Sequence, residues 1–173
     1  RYTPIEGYGV VGDLRTAALV GRDGSIDWFC PGRFDAPSLF GRILDADRGG
    51  SWRIAPARPC PTKQMYLPDT AVLLTRFYTE SGVGEVTDLM PVGEEPCALI
   101  RRVDVVRGAL DLRMRCRPAF DYGREAHRAE ATARGVRFAS PTRATELTAG
   151  LPLELRAGAA ECRFTLSAGA EFE

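Results

Sequence analysis

Residues 98–117 read ALIRRVDVVRGALDLRMRCR, and this stretch carries the clearest structural pattern in the chain. From Leu110 to Arg117 an apolar side chain alternates with a charged one at every step. Side chains of a β-strand point alternately to its two faces, so this spacing predicts a strand with one buried and one solvated face. Ala98–Val106 predicts a further strand just before it. The stretch therefore indicates a domain built mainly from strands.

The rest of the chain repeats this β pattern between turn signals. Ala17–Gly21 and Ile26–Cys30 flank an Asp-Gly turn and predict one hairpin, whereas Thr70–Glu80 and Glu85–Leu89 flank a glycine-bearing loop and predict another. Shorter alternating runs occur at Leu151–Leu155 and Cys162–Leu166. Roughly nine or ten short strands separated by turns predict an all-β fold, an antiparallel β-sandwich, with at most one or two short helices.

Only two segments have helical character, and both are weak. Ser38–Asp45 has the length for about two turns, with Ser38 as the N-cap. Arg124–Arg134 is rich in alanine, but apart from the ring of His127 it has no large side chain to bury, so we expect an exposed loop or a marginal helix there. We expect His127, the single histidine of the chain, to be an ordinary surface residue.

We expect residues 1–173 to form a single domain that is cut near its C-terminal end. The final predicted strand runs into Ala168–Glu171, where another hairpin partner would be expected. Arg1 is not expected to be the natural start of the protein.

The composition argues against several classes of function. The chain has 23 basic and 23 acidic side chains, so no net field attracts nucleic acid or an anionic membrane. No apolar run approaches the length of a membrane span, and no leader sequence is predicted. Its five cysteines are far apart without a CxxC pair, which favours reduced thiols in a cytoplasmic protein. We therefore expect no cofactor, no metal, no nucleic-acid partner and no membrane partner.

No motif of a known catalytic machinery is present. The chain lacks GxSxG, HExxH and P-loop elements, and the GxGxxG-like run at Gly7–Gly12 lacks the βαβ context that a dinucleotide site requires. Five aspartates lie among apolar or aromatic neighbours: Asp13, Asp27, Asp35, Asp88 and Asp121. A buried carboxylate must be paired or hydrogen-bonded, so we expect partners such as Arg15, Arg33 and Arg102 rather than ligands for most of them.

Two segments place an aromatic ring beside an aspartate at the end of a predicted strand. One combines Trp28 with Arg33–Asp35, and the other is Arg117–Gly123. Carbohydrate sites combine a flat ring with charged side chains that hydrogen-bond sugar hydroxyls in pairs. The same residues would serve equally as an aromatic plug that seals one end of a sandwich. The candidate site residues are Trp28, Arg33, Phe34, Asp35, Phe120, Asp121 and Tyr122, with no catalytic and no metal-binding residue among them.

An ordered series of motifs resembles the bacterial and archaeal glycoside hydrolase family 15 enzymes, the glucoamylase and trehalase group. It begins with Tyr2–Val20, continues through Asp23–Trp28 and reaches Arg33–Asp35. The later blocks are Gly49-Gly50, Tyr66–Thr70, Thr87–Pro91 and Phe120–Gly123. The blocks keep their order, and beyond Gly123 the resemblance is one of strand pattern only.

The resemblance implies that the chain is the trehalase-like N-terminal domain, an antiparallel sandwich of the super-sandwich type. In that family the sandwich precedes an (α/α)6 barrel that hydrolyses α-glucosidic bonds with inversion, using two glutamates. Since the catalytic barrel is expected to follow the part of the protein in this chain, no residue of the chain is expected to inherit a catalytic role. The fragment is then expected to lack enzymatic activity, whereas the parent protein is expected to be a hydrolase acting on trehalose or maltooligosaccharides.

The resemblance also implies a partner and an orientation. The sandwich would pack on its own C-terminal catalytic domain, with the Trp28 and Arg33–Asp35 corner facing the cleft for the α-glucoside substrate. The family usually has a bulky residue and then proline where this chain has Pro31-Gly32. Glycine frees the backbone at this point and leaves the contact made by Arg33 open.

Two alternatives remain open at this stage. An autonomous carbohydrate-binding module would present Trp28, Phe34, Phe120 and Tyr122 on an exposed platform. A purely structural interaction domain would instead present a contiguous exposed apolar patch, which also predicts self-association of the fragment.

Overall fold

The computed structural model describes residues 2–93, 95–169 and 171–172, and these residues form antiparallel strands almost throughout. The strands are β1 Tyr8–Gly12, β2 Ala17–Gly21, β3 Ser25–Phe29, β4 Phe40–Gly41, β5 Ser51–Pro56, β6 Thr62–Tyr66, β7 Leu73–Tyr78, β8 Gly82–Leu89, β9 Ile100–Arg117, β10 Arg128–Thr132, β11 Gly135–Ala139, β12 Ala144–Thr148, β13 Glu154–Arg156, β14 Ala159–Ser167 and β15 Glu171–Phe172. A 3-10 turn at Ile5–Gly7 and one helical turn, α1 Phe120–Gly123, complete the described elements. The predicted antiparallel β-sandwich is confirmed.

Strand β9 forms the corner of the fold. Its first half pairs with β8 and its second half with β5, while β14 lies along its other edge. Between the halves lies Gly108, with φ of 72° and with Ser81 O only 2.0 Å from where a Cβ would stand. Strands that pass between two layers at such a bend form the corners of β-sandwiches. The two strands predicted at Ala98–Val106 and Leu110–Arg117 are therefore one continuous strand, because glycine permits the bend without ending it.

The bend divides one twelve-stranded sheet into two layers. The first layer runs β1-β2-β3-β5-β9 and continues through β14 to β13, with β4 beside β3. The second layer runs β6-β7-β8-β9, with β15 on the other edge of β9. The predicted hairpins are confirmed as β2–β3 and β7–β8. A separate sheet of β10, β11 and β12 packs Val136, Phe138 and Leu147 into the same core.

Two weakly helical predictions are wrong. The segment Arg124–Arg134 contains β10, paired with β11 along its length, and small alanine side chains had hidden the strand pattern. The segment Ser38–Asp45 contains β4 and turns instead of a helix. His127 is not an ordinary surface residue either: its ring lies 5.6 Å from that of Phe120 and 5.8 Å from that of Phe138, centroid to centroid.

A buried ion pair connects the two layers. Arg101 and Asp88 lie opposite each other on β9 and β8, with both side chains 0% exposed and 2.6 Å between Arg101 Nε and Asp88 Oδ1. The guanidinium also donates to Trp52 O at 2.8 Å and to Gly24 O at 2.9 Å, both in the first layer. It lies 5.2 Å from the centroid of the Trp52 ring. Arg101 was not among the predicted partners, because only the strand register distinguishes it from Arg102.

Arg101→Met should destabilise the protein strongly, since it leaves the Asp88 carboxylate buried without a counter-charge. We expect the free energy of unfolding, measured by urea denaturation, to fall by about 3–5 kcal/mol. Arg156→Met is the matched control, because it removes an exposed pair with Glu154 and should change stability by less than about 1 kcal/mol. If Arg101→Met does not fold, Arg101→Met combined with Asp88→Leu should recover folding. Similar small losses in both single variants would contradict the role of the pair.

Gly108→Ala should lower stability far more than Gly93→Ala. Both glycines have positive φ, 72° and 85°, but at Gly93 no atom of the described residues beyond its chain neighbours lies within 4 Å of where a Cβ would stand. Left-handed backbone alone should therefore cost Gly93→Ala about 1–2 kcal/mol. The clash with Ser81 O should add at least about 1–3 kcal/mol in Gly108→Ala. Equal denaturation midpoints for the two variants would show that the bend tolerates a side chain.

Candidate functional site

Loops from both layers gather at one end of the sandwich, and the predicted site residues lie on or beside them. The loops are residues 13–16, 30–39, 90–93 with 95–99, and 118–127. Phe34 N–H donates to Arg15 O at 3.1 Å, and Tyr122 N–H donates to Ser38 Oγ at 3.1 Å. An ion pair from Arg15 to Glu95 links the second layer to the same assembly. We call this set of residues the loop end.

The two aromatic segments that the sequence singled out meet at the loop end. The ring centroids of Trp28 and Tyr122 lie 6.1 Å apart with 43° between their planes. The Tyr122 ring also contacts a cation: the Arg124 guanidinium lies 5.6 Å from its centroid. Trp28 is half-buried and Tyr122 is exposed at the surface. The fold thus combines the two candidate segments into one aromatic surface with a cation beside it.

The turn that carries Tyr122 has a strained backbone. Asp121, Tyr122 and Gly123 have φ of 47°, 58° and 78°, so α1 is a left-handed turn rather than an ordinary helix. Non-glycine residues in this region cost about 1–2 kcal/mol each. The turn is held by hydrogen bonds from Gly123 N–H to Ala119 O at 3.2 Å and from Arg124 N–H to Asp121 O at 3.0 Å. Strain of this kind is concentrated at ligand sites, which marks the turn as a contact candidate.

Asp27, the residue before Trp28 on β3, is buried where the pairing of β2 with β3 is irregular. The β2–β3 register slips here, so that Leu19 pairs with Trp28 and Val20 with Ile26, and Asp27 has no cross-strand partner. Its Oδ2 accepts hydrogen bonds from the Tyr8 hydroxyl at 2.8 Å and from Arg42 Nη1 at 3.1 Å.

Asp27 is the buried member of a polar cluster whose other members, Tyr8 and Arg42, are partly exposed. Its Oδ1 has no hydrogen-bond partner within the described residues. Burial, and next the bond to Asp27, raise the pKa of Tyr8 to about 12. Arg42 was not among the predicted partners, because Ser38–Asp45 was expected to be helical, whereas Arg42 follows β4, which pairs with β3.

The outer rim of the loop end carries exposed ion pairs and exposed apolar side chains. Arg33 donates from Nε to Asp35 Oδ1 at 2.9 Å and from Nη2 to Oδ2 at 3.1 Å. Between them in sequence, Phe34 is 76% exposed, and Leu14 on the neighbouring loop is 91% exposed. Leu14 also has a positive φ of 71°. The rim therefore presents apolar side chains to solvent within a charged border.

Hydrogen bonds keep the carboxylates of Asp13 and Asp35 ionised, so neither is suited to donate a proton. The hydrogen bonds from Arg33 hold the pKa of Asp35 below its usual range. Burial alone would raise the pKa of Asp13, but hydrogen bonds from the N–H groups of Thr16 and Arg15 outweigh it, and the pKa is lowered. Ionised carboxylates accept hydrogen bonds from hydroxyl groups, whereas a general acid needs a raised pKa.

The remaining candidates differ in their environment. Phe120 is only 2% exposed and packs in the core against His127, below the surface formed by Trp28 and Tyr122. Asp121 is half-buried, with 3.9 Å between its Oδ2 and Arg124 Nη1. Over the described ranges, no cluster of three or more His, Cys, Asp or Glu side chains is placed to hold a metal ion. Nor does that part of the chain contain a helix long and apolar enough to cross a membrane.

Comparison with known proteins shows that this chain is similar to the N-terminal part of trehalases. Residues 1–161 match the family described as trehalase-like, N-terminal. The trehalase of Mycolicibacterium smegmatis is 35% identical over 152 residues, which cover 76% of this chain and 22% of that protein. Trehalase 1 of Sulfolobus acidocaldarius is 41% identical over 116 residues, which cover 66% of this chain and 19% of that protein. The trehalase of Thermoplasma volcanium is 30% identical over 159 residues, which cover 88% of this chain and 26% of that protein. The chain thus spans about a quarter or less of these relatives, and no solved structure matches.

Tyr8 should titrate well above an ordinary tyrosine, whose pKa is about 10. In an NMR titration of tyrosine-labelled protein, the resonance that Tyr8→Phe removes should titrate near pH 12. Asp27→Asn should return it toward the ordinary value. Folding raises this pKa, so the contribution of Tyr8 to folding stability depends on pH. That contribution is complete at pH values below the pKa of the unfolded state and is lost as the pH rises through the pKa of the folded state. A Tyr8 resonance that titrates at the ordinary value would contradict the polar cluster around Asp27.

Proposed function

We propose that this chain, which belongs to the trehalase-like N-terminal family, is the non-catalytic sandwich domain of a longer cytoplasmic α-glucoside hydrolase. Its loop end packs on the catalytic (α/α)6 domain of the same protein and lines the cleft that binds the substrate. The observation that carries this proposal is the combination of exposed apolar side chains, a charged border and a strained aromatic turn at one end of the sandwich.

The exposed apolar residues support the docking part of the proposal. Leu14 and Phe34 belong to adjacent loops that share the hydrogen bond from Phe34 N–H to Arg15 O. Full burial of a leucine or phenylalanine side chain contributes about 1.5–3 kcal/mol. An apolar centre with ion pairs around it is the usual composition of a protein interface. A following domain seated here would bury both side chains and leave the Arg33–Asp35 pair at the rim.

The aromatic turn supports the proposal that the loop end lines the substrate cleft. Sugar rings stack their apolar face on aromatic side chains, and their hydroxyl groups pair with charged groups. The loop end offers Trp28 and Tyr122 for the first contact and Asp35 or Asp121 for the second. The similar proteins carry the name trehalase, which favours trehalose over maltooligosaccharides as the substrate.

The proposal assigns the chemistry to the rest of the protein. Inverting hydrolysis needs two carboxyl groups about 6.5–9.5 Å apart, one as general acid and one to activate water. In this proposal both come from the catalytic domain, and the loop end restricts where the sugar can lie. The lowered pKa values of Asp13 and Asp35 fit this division, since both carboxylates are ionised at neutral pH. The free state of all five cysteines fits a cytoplasmic location.

An autonomous carbohydrate-binding module is less well supported. Its platform would require the rings of Trp28, Phe34, Phe120 and Tyr122 on one surface, whereas Phe120 is buried in the core.

In the full-length protein, Arg33→Ala or Asp35→Ala should lower kcat/KM for trehalose by about tenfold, the scale of one charge-assisted hydrogen bond. Phe34→Ser should weaken docking and lower thermal stability. The control is Val106→Ala, which alters an exposed residue on β9 near Gly108, at the other end of the sandwich. It should change neither kcat/KM nor thermal stability. Unchanged kinetics in all three loop-end variants would contradict the cleft assignment.

The 173-residue chain should not hydrolyse trehalose or maltose, and calorimetry with maltooligosaccharides should detect no binding. Turnover by the chain itself would refute the non-catalytic assignment. Binding by the isolated chain would instead support a carbohydrate-binding module.

A further inference from the structure

Strand β1 is an edge of the first layer, and part of its backbone faces away from the sheet. Among the described residues, β1 pairs only with β2. Just past the end of β1, Asp13 N–H donates to Thr16 O at 3.3 Å. Hydrogen-bonded pairs alternate with open pairs along an antiparallel ladder. This bond therefore fixes the alternation, and the backbone groups of Tyr8, Val10 and Gly12 point away from β2.

The hydroxyl of Tyr66 occupies the outward backbone groups of Val10. It accepts a hydrogen bond from Val10 N–H at 2.7 Å and donates one to Val10 O at 3.0 Å. A tyrosine hydroxyl is both a donor and an acceptor, so one side chain satisfies the two groups that a neighbouring strand would otherwise bind. Tyr66 belongs to the Tyr66–Thr70 motif, which lies outside the loop end.

The second layer holds Tyr66 in this position. Tyr66 pairs with Leu73, which is 1% exposed, so both side chains lie on the inner face of the β6–β7 pair. Gln64, two residues earlier on the same face, also reaches the first layer and donates to Val20 O at 3.2 Å. The layers approach closely because residue 9 is glycine: a Cβ on Gly9 would lie 2.5 Å from Leu73 Cδ2. Strand β6 thus reaches the first layer with side chains.

Strand β1 lacks the features that usually protect an edge strand. Natural edge strands carry charged side chains, proline or a bulge. The sequence of β1, YGVVG, has no charge and no proline, and its register with β2 is unbroken. Val10 and Tyr66 are both 48% exposed, so this edge lies at the surface. The edge strand of the second layer, β6, instead carries Lys63, the single lysine of the chain.

We propose that the Tyr66 hydroxyl is an edge cap, which prevents β1 from pairing with the β1 of a second copy of this chain. An antiparallel pair centred on Val10 would place Tyr8 of one copy opposite Gly12 of the other. It would use the backbone groups that face away from β2, and it would be two-fold symmetric, as most homodimers are. The cap competes with this pairing because the hydroxyl already binds both groups of Val10. The inference does not rest on the proposed contact with a catalytic domain.

Hydrogen exchange at Val10 tests whether the hydroxyl holds the edge. In the 173-residue chain, Tyr66→Phe removes only this hydroxyl, and the Val10 amide should exchange about fivefold faster, the scale of one lost hydrogen bond. The rate is measured at low protein concentration by mass spectrometry with fragmentation to single residues. Tyr78→Phe is the matched control, since Tyr78 is 38% exposed and lies at the opposite end of β7 from Leu73. It should leave the rate unchanged.

Sedimentation velocity over a range of concentrations tests whether the cap controls self-association. Tyr66→Phe should self-associate at least about tenfold more tightly than the wild type, as expected when about 1.4 kcal/mol of competition is removed. Tyr78→Phe should behave as the wild type does. Adding Val10→Lys to Tyr66→Phe should restore the wild-type behaviour, because two lysines would face each other across the symmetric pair.

An unchanged rate at Val10 in Tyr66→Phe would overturn the inference, because the hydroxyl would not then protect the edge. Faster exchange without tighter self-association would also overturn it, since the hydroxyl would bind β1 without controlling its pairing. Tighter self-association that persists after Val10→Lys would place the contact on another surface and contradict pairing through β1. The expected result is faster exchange together with tighter self-association that Val10→Lys reverses.

Discussion

The ion pair between Arg101 and Asp88 determines how the two layers of this protein face each other. A guanidinium without solvent must have its donors satisfied inside the protein, and here Asp88, Trp52 O and Gly24 O accept them. The carboxylate is in the second layer and the two carbonyl groups are in the first. Any displacement of one layer against the other would leave part of this buried charge unpaired. The pair is therefore a constraint on geometry as well as a contribution to stability.

The loop end depends on this constraint. Strand β9 starts directly after the loop 95–99 and ends shortly before the Phe120–Gly123 turn, so its bend at Gly108 brings loops from distant parts of the chain to one end of the sandwich. The strands supply the rigid part, and the loops supply the exposed side chains, which is the usual division of work in binding proteins. Strand β3 carries Trp28, and the left-handed turn places the Tyr122 ring 6.1 Å from the Trp28 ring, centroid to centroid.

Much of the fold follows from local patterns, and most of the site does not. The alternation of apolar and polar residues was sufficient to predict β14 and the second half of β9. The turn residues were sufficient to predict the β2–β3 and β7–β8 hairpins. The alternation is hard to recognise in β10, because the residues that alternate with Arg128, Glu130 and Thr132 are small alanines rather than large apolar side chains. Asp88 was recognised as a buried carboxylate, but Arg101 and Arg102 are neighbours, and only the register of a long-range pair selects between them. Trp28 and Tyr122 were both candidates, yet their contact depends on the whole path of β9.

Hydrogen–deuterium exchange tests most directly whether the loop end is the surface that contacts the rest of the longer protein. The account predicts that backbone amides in residues 13–16, 31–38 and 120–124 exchange at least about tenfold more slowly in the full-length protein than in the 173-residue chain. Amides at the opposite end, in residues 79–82 and 107–109, should exchange at the same rate in both. Protection of the opposite end, with the loop end unchanged, would contradict the account.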